Sequence, residues 1–490
     1  MEELQPVNIA VMVGYLILML GIGFYSMKQT DSFDDYAVAG RRIPAALIFA
    51  TVAATLCGGG ATIGRIAYIH NQGLIVFVGL LGVIVGQLFS GVFVAPRVRE
   101  AGKNIYGIGD LFGMYYGRGA RLASSVVAFF LCIGAFGIQI LAMGRILQTV
   151  TGIELIPAAI ISTLITLMYT YVGGYLAVVL TDAVQFVIIA FSLTLTAIIG
   201  INAVGGLEHA MTAITARGEA PAMLLDFFRS DWSGEKLFAF FMAFLFGEMC
   251  APFYIQRYAS AKSAKDTKWG VSIFAIYYIF FLATTGAIGV CSLYLQPDIV
   301  PDLALSTLVY DLLPVGLSGL AMAGLLAAVM SSSDSFINTG AIIFTRDIYN
   351  EFINRNATQK QMLFLSKMTT LVVGVLGVIL ALNIPDVFKL MLVVFNFWGP
   401  AILPPLLIAL LWGKVYERKI SPYAGAPAII VALLVTHSWD GYLGLSANVA
   451  GILASLLTMA IIHIATNSHR PTKGMFAPEL LEQNSQEGDA

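Results

Sequence analysis

Apolar residues in this chain run in long uninterrupted blocks and do not alternate with polar ones. The blocks are about 20 residues or longer, the length a helix needs to cross the hydrocarbon core of a bilayer. They fall near residues 7–27, 43–70, 74–96, 121–149, 155–178, 180–203, 236–256, 269–296, 315–345, 362–383, 387–413, 420–438 and 444–466, about thirteen in all. The pattern predicts an all-α integral membrane protein, because lipid leaves backbone groups no partner outside a helix or a closed barrel. The informative positions are then the polar and helix-breaking ones inside the blocks.

Two blocks are interrupted. The second carries Gly58-Gly59-Gly60 directly after Ala54, Thr55, Leu56 and Cys57, and the seventh carries Gly247-Glu248-Met249-Cys250-Ala251-Pro252. Glycine weakens a helix by roughly 1 kcal/mol per residue relative to alanine, and proline removes a backbone donor. Backbone freed in this way is tolerated at membrane depth only where it lines a cavity or binds something. The breaks lie five blocks apart, as in two inverted repeats of five helices, and such paired interruptions point to a transporter's midplane site. On this reading 43–203 is the first repeat, 204–235 an external loop and 236–413 the second repeat. Residues 1–42 supply the external N-terminus, a flanking helix and the first cytoplasmic loop; 414–466 supply two further flanking helices, and 467–490 a polar cytoplasmic tail. The plainer alternative for the glycines is close helix packing.

The ninth block contains AVMSSSDS, in which Ala328, Ser331, Ser332 and Ser335 share a helical face and Asp334 lies one residue off it. An oxygen-only stripe suits a hard cation, and it reads as one half of a sodium site. If the sixth and ninth helices pack together, Asp182 supplies counter-charge beside Ser331, Asp334 and Ser335, giving a candidate second cation site; otherwise Asp182 caps its helix. Arg65 and Glu248 flank the two breaks. Arg65 is placed to hold a substrate carboxylate or to gate with Glu248, or the two form a permanent ion pair; the residues leave these open. Arg145 is expected to snorkel to the outer surface.

Composition narrows the class. Only 11% of the 490 residues are charged and 58% are hydrophobic, against about 25% charged in soluble domains. The net charge of −2 gives no basic footprint for nucleic acid. Cations gather on alternate loops (Lys28, Arg41, Arg42; Arg97, Arg99, Lys103, Arg118, Arg121; Arg257, Lys262, Lys265, Lys268; Arg346, Arg355, Lys360; Lys414, Arg418, Lys419; Arg470, Lys473). That asymmetry predicts an external N-terminus, a cytoplasmic C-terminus and residence in a bacterial inner membrane. The first block, preceded by Glu2 and Glu3, is expected to stay as a helix and not to be cleaved as a signal peptide. The four cysteines lack metal-ligand spacing and no segment forms an enzyme module.

Three segments carry a family resemblance: GGYLAVVLTDAVQ (173–185), YIQRYASAKSAKD (254–266) and GLSGLAMAGLLAAVMSSSDSFINTGAIIFTRDIY (316–349). Together they resemble the sodium:solute symporter family across roughly 5–466, in its proline- and choline-transporter-like branch. The resemblance implies a leucine-transporter-type core and sodium as the co-transported ion. It implies sodium ligation by the carbonyls of Ala54, Cys57 and Ala328 and the hydroxyls of Ser331 and Ser332. A second site in some members maps to Asp182, Asp334 and Ser335, where Asp334 departs from a serine pattern, so a proton remains an alternative occupant. The tryptophans of a choline cage align near Leu56 and Ala251, which disfavours choline. The candidate solute contacts are Thr55, Gly58, Gly59, Arg65, Gln139, Phe244, Glu248, Pro252, Asn396 and Trp398, with Phe397 beside them. The expected partners are a small solute (an amino acid such as proline, or a small carboxylate), Na⁺ and the lipid bilayer. No nucleic acid or obligate protein partner is expected. A proton-driven carrier of the same fold, or a transporter-like sensor or channel, is the rival reading.

Overall fold

The computed structural model describes residues 6–27, 32–412, 420–441 and 446–466. Glu2, Glu3, Lys28, Lys414, Arg418, Lys419, Arg470, Lys473 and the tail 467–490 lie outside the described residues. Regular structure among the described residues is helical apart from one isolated bridge.

The flanking helix α1 is Pro6–Met27, followed by α2, Ala45–Leu56. Chain 57–59 then breaks the helix, which resumes through a wide turn, Gly60–Gly64, into α3, Arg65–Gln72. A glycine at φ 78° turns the chain into α4, Val76–Phe89. Next come α5, Arg118–Thr151, and α6, Leu155–Ala203. The second broken pair is α7, Gly234–Met249, and α8, Pro252–Ser260, bent by 41°. The remaining long helices are α9, Ala264–Leu295; α10, Leu317–Ile342; α11, Gln359–Asn383; α12, Val387–Leu411; α13, Gly425–Ser438; and α14, Ala447–Thr466.

By length and apolarity nine described helices can cross a bilayer, or ten with the bent pair taken as one span, against the thirteen blocks of the sequence reading. The difference arises partly because a broken helix such as α2 is too short to qualify alone. This is a multi-pass membrane protein.

Helix α10 is the axis of the molecule. Nearly every residue of it is buried, its serine and aspartate stripe included, and it packs on α6, α5, α11, α1 and α2. Helix α2 packs between α6 and α9, and α7 packs on α4 and α12. The Ile43 amide donates to the Ser260 carbonyl (3.3 Å) and the Lys262 amide to the Ile43 carbonyl (2.8 Å). The start of the first broken helix thus meets the end of the second.

Three expectations change here. Asp182 does not open its helix. Within α6 the irregular residue is Gly174 (φ 63°, ψ −177°), so Asp182 lies about two turns inside and is fully buried. Arg257, counted among loop cations, sits within α8 with no exposed surface. Arg145 does not reach open water alone; it approaches Asp302 at 3.6 Å. Burial pushes the Asp302 carboxyl up to about 6, with the Arg145 charge opposing that rise.

Candidate functional site

The C-terminal end of α2 leaves carbonyls without intrahelical donors, as every helix end does. The Ala53 carbonyl takes the Cys57 amide at 3.0 Å. The next two turn sideways to α10. Ser331 Oγ donates to the Ala54 carbonyl (3.0 Å) and lies 3.1 Å from that of Ala328. Ser332 Oγ donates to the Thr55 carbonyl (2.7 Å) and lies 3.2 Å from the same Ala328 oxygen. Three carbonyls and two hydroxyls from two helices therefore converge at one buried point. Ala54, Ala328, Ser331 and Ser332 are brought together. Cys57 stands at the break itself, and no hydrogen bond joins its carbonyl to α10 among the described residues. The approach depends on Gly58, since a Cβ there would lie 2.1 Å from Ser332 Oγ.

One turn further along α10 lies a buried charged cluster. The Arg257 guanidinium donates to Asp182 Oδ2 (3.2 Å), Ser335 Oγ (2.6 Å), Thr55 Oγ1 (2.5 Å) and Thr51 Oγ1 (3.0 Å). Thr51 also donates to Asp182. Asp334 receives one long contact from Ser335 Oγ (3.3 Å), while its Oδ2 and Asp182 Oδ1 have no hydrogen-bond partner among the described residues. Helices α2, α6, α8 and α10 each supply part of this cluster. Burying an ion pair is costly in desolvation, and removing one partner costs more.

A central cavity of about 50 Å³ opens between the two breaks. Thr55, Gly58, Arg65, Gln139, Phe244 and Glu248 line it, as the sequence suggested. Gln139 is held by the Gly59 amide, which donates to its Oε1 at 2.8 Å, so Gly59 supports the wall without lining it. Pro252 starts α8 and is buried beside the wall residues Ala251 and Phe253. Asn396 and Trp398 are not brought to this cavity. Phe388, Met391 and Phe395 recur at helical spacing and turn that face of α12 inward. Asn396 is consequently exposed and bonded to Asn448 (2.7 Å), Phe397 is exposed, and Trp398 is buried in packing.

The two cavity charges do not pair. Arg65 donates to Tyr278 (2.5 Å) and Thr285 (3.1 Å), and its carbon lies 4.9 Å from the centre of the Phe281 ring. Glu248 accepts from the Tyr254 hydroxyl at 3.1 Å, and no ion pair joins it to Arg65 among the described residues. The register-fixing ion pair is thus excluded in this conformation. Arg65, 2% exposed, faces a shared cavity with an opposite charge that it does not contact.

Sequence reasoning missed Arg257 and Thr51. A signal existed: Asp182 needed a cation, and Arg257 follows Pro252 by five residues, inside the helix that Pro252 starts.

Comparison with known proteins agrees with this architecture. The sequence matches the sodium:solute symporter family over residues 36–419. The osmoregulated proline transporter OpuE of Bacillus subtilis (strain 168) is 27% identical over 96% of this chain and 97% of its own. The sodium/proline symporter of Escherichia coli (strain K12) is 25% identical over 92% and 91%. The sodium/pantothenate symporter of Haemophilus influenzae is 27% identical over 86% and 87%. Among solved structures, a Na⁺-coupled sialic acid symporter in a substrate-bound outward-open state superposes with a TM-score of 0.78 at 22% identity, covering 94% of this chain and 98% of that one. The expected fold class is borne out.

Proposed function

Because the chain belongs to the sodium:solute symporter family, we propose that it imports a small zwitterionic amino acid of proline's size, driven by external Na⁺. The observation that carries the solute class is the pair of opposite charges, Arg65 and Glu248, that line one central cavity without contacting each other. A substrate carboxylate meets the Arg65 fork and its ammonium meets Glu248, so each buried charge gains the partner it lacks. A small carboxylate alone leaves Glu248 facing an anion, and a sugar satisfies neither charge. Thr55, Gly58, Gln139 and Phe244 supply the remaining contacts.

Sodium docks where the α2 carbonyls meet the α10 hydroxyls: Ala54, Cys57, Ala328, Ser331 and Ser332. Supporting this is the convergence of oxygens that only hydroxyl protons now hold together. Asp182, Asp334 and Ser335 form the second cation group. Arg257 already neutralises one of its two carboxylates, so one further monovalent cation balances the other. The ion orders the end of α2, which also lines the solute cavity, so ion and solute tighten one another by equal factors. One Na⁺ crossing roughly 100 mV releases about 2.3 kcal/mol, and a tenfold gradient adds about 1.4 kcal/mol, enough for about 500-fold accumulation of a net-neutral solute. The N-terminus is external, the C-terminus cytoplasmic, and the membrane a bacterial inner one. The rival from another class, a sensor, binds solute without net flux.

The test is uptake of radiolabelled L-proline by proteoliposomes with an imposed Na⁺ gradient. Accumulation that vanishes when choline replaces Na⁺, and persists when only the pH gradient is collapsed, supports the reading. Indifference to Na⁺ sinks it.

A further inference from the structure

Beyond α4 the chain stays helical through Ser90–Val94 and Ala95–Glu100, and this extension lies against α9. Gly91 permits the contact, since a Cβ there would meet Ser272 Oγ at 2.7 Å. Further along, Arg99 Nε donates to the Ala261 carbonyl at 2.6 Å. Residue 91 thus faces 272 and residue 99 faces 261, so the two segments run antiparallel and Arg97 stands level with the first turn of α9.

The outer face of α9 has an ordered composition. Lys265, Trp269, Ile273, Ile276 and Phe280 recur at helical spacing and all are exposed, Trp269 by 52%. From Trp269 to Phe280 the apolar stripe rises about 16 Å, close to the hydrocarbon depth of one leaflet, about 15 Å. Tryptophan at its charged end is the side chain that settles at headgroup level.

Around that end, residues 95–100 and 261–269 carry five cations (Arg97, Arg99, Lys262, Lys265, Lys268) against two carboxylates, Glu100 and Asp266. Asp266 is committed elsewhere, accepting from Ser263 Oγ and from the Ala45 amide (3.0 Å). Arg97 donates to the neutral carbonyl of Phe93 (2.9 Å). Lys262, Lys265 and Lys268 are exposed, and no ion pair joins them to a carboxylate among the described residues. The excess of positive charge therefore meets no protein anion at the level where lipid phosphates lie, and it complements them.

We propose that this face of α9 is a binding site for an anionic phospholipid, with its headgroup held by Lys265, Lys268 and Arg97 and its chains laid along Trp269, Ile273, Ile276 and Phe280. The site is separate from the ion and solute sites and does not depend on which solute is carried.

The experiment uses the full chain in phosphatidylcholine nanodiscs doped with a low, equal fraction of chain-brominated phosphatidylglycerol or chain-brominated phosphatidylcholine. Bromine quenches a tryptophan it touches, and subtracting the signal of Trp269→Phe isolates Trp269. At low ionic strength the anionic lipid should quench Trp269 about tenfold more effectively than the zwitterionic one. Lys265→Gln with Lys268→Gln should bring the ratio close to one, while Lys265→Arg with Lys268→Arg should preserve it. Equal quenching by the two lipids in the unaltered protein, or a preference that survives both glutamines, overturns the site. So does a Trp269 that neither lipid quenches, which would mean that a second copy of the chain or another protein covers this face.

Discussion

Two arginines are buried deeply in this molecule, and their surroundings are opposites. Arg257 is fully enclosed and touches a carboxylate and three hydroxyls, so its charge and most of its donors are committed within the protein. Arg65 is as deeply buried, but its donors meet only neutral hydroxyls and aromatic rings, and its Nε has no hydrogen-bond partner among the described residues. Similar burial with dissimilar compensation fits a residue that holds the fold in one case and, on the proposed function, one that receives the solute in the other. Each stands beside one helix break: Arg257 follows the break at 250–251 and Arg65 the break at 57–59. On the proposed function, the same local device, an interrupted helix, serves a structural charge at one break and a recognition charge at the other.

The sharpest way to break this contrast is to neutralise the committed arginine. Arg257→Gln leaves Asp182 and Asp334 buried without a cation and should destabilise the protein by about 3–5 kcal/mol, seen as a large drop in melting temperature in detergent. Adding Asp182→Asn should recover much of that loss, because the orphaned charge goes with its partner. Failure of the double variant to recover would show that Arg257 acts through packing and not through charge.

Arg65→Gln should behave differently. Melting temperature should change little, while the KM for L-proline rises about a hundredfold, in keeping with about 2–3 kcal/mol for a charge-assisted contact to a carboxylate. Arg65→Lys should rescue poorly, since an ammonium lacks the planar fork. A variant that melts far earlier but transports normally would erase the distinction between the two arginines.

The sequence made one arginine legible and hid the other for a physical reason. Arg65 lies within an apolar block, where a charge is conspicuous, whereas Arg257 lies beyond Pro252 at the edge of a cation-rich segment and reads as loop. Only the 41° bend between α7 and α8, which carries α8 onto α10, reveals it. The Ser331–Ser332 face was legible because helical periodicity alone sets which residues share it. The α12 face was not: Asn396 and Trp398 are the chemically obvious residues there, but helix rotation turns Phe388, Met391 and Phe395 to the cavity instead. Composition gave the membrane and the helices, but rotation about a helix axis depends on neighbours that no single segment encodes.

Between the two arginines lies the α2–α10 junction, and Gly58 tests how tightly it is drawn. A methyl at 2.1 Å from Ser332 Oγ forces the helices apart, so Gly58→Ala should cost roughly 1–3 kcal/mol and raise the sodium needed for half-maximal uptake.

Ser332→Ala is the gentlest and most specific of these changes. It removes one hydroxyl that now donates to the Thr55 carbonyl, and no charge is left orphaned. A lost neutral hydrogen bond is worth about 1 kcal/mol, so stability should fall only slightly. The sodium dependence should shift further in relative terms, about fivefold in the concentration giving half-maximal uptake, if that oxygen turns to the ion when sodium binds. The proline KM measured at saturating sodium should move far less, because Ser332 is not part of the cavity wall. A Ser332→Ala protein with normal sodium dependence but weakened proline binding would reverse the assignment, placing the hydroxyl with the guest of Arg65 and not with the ion.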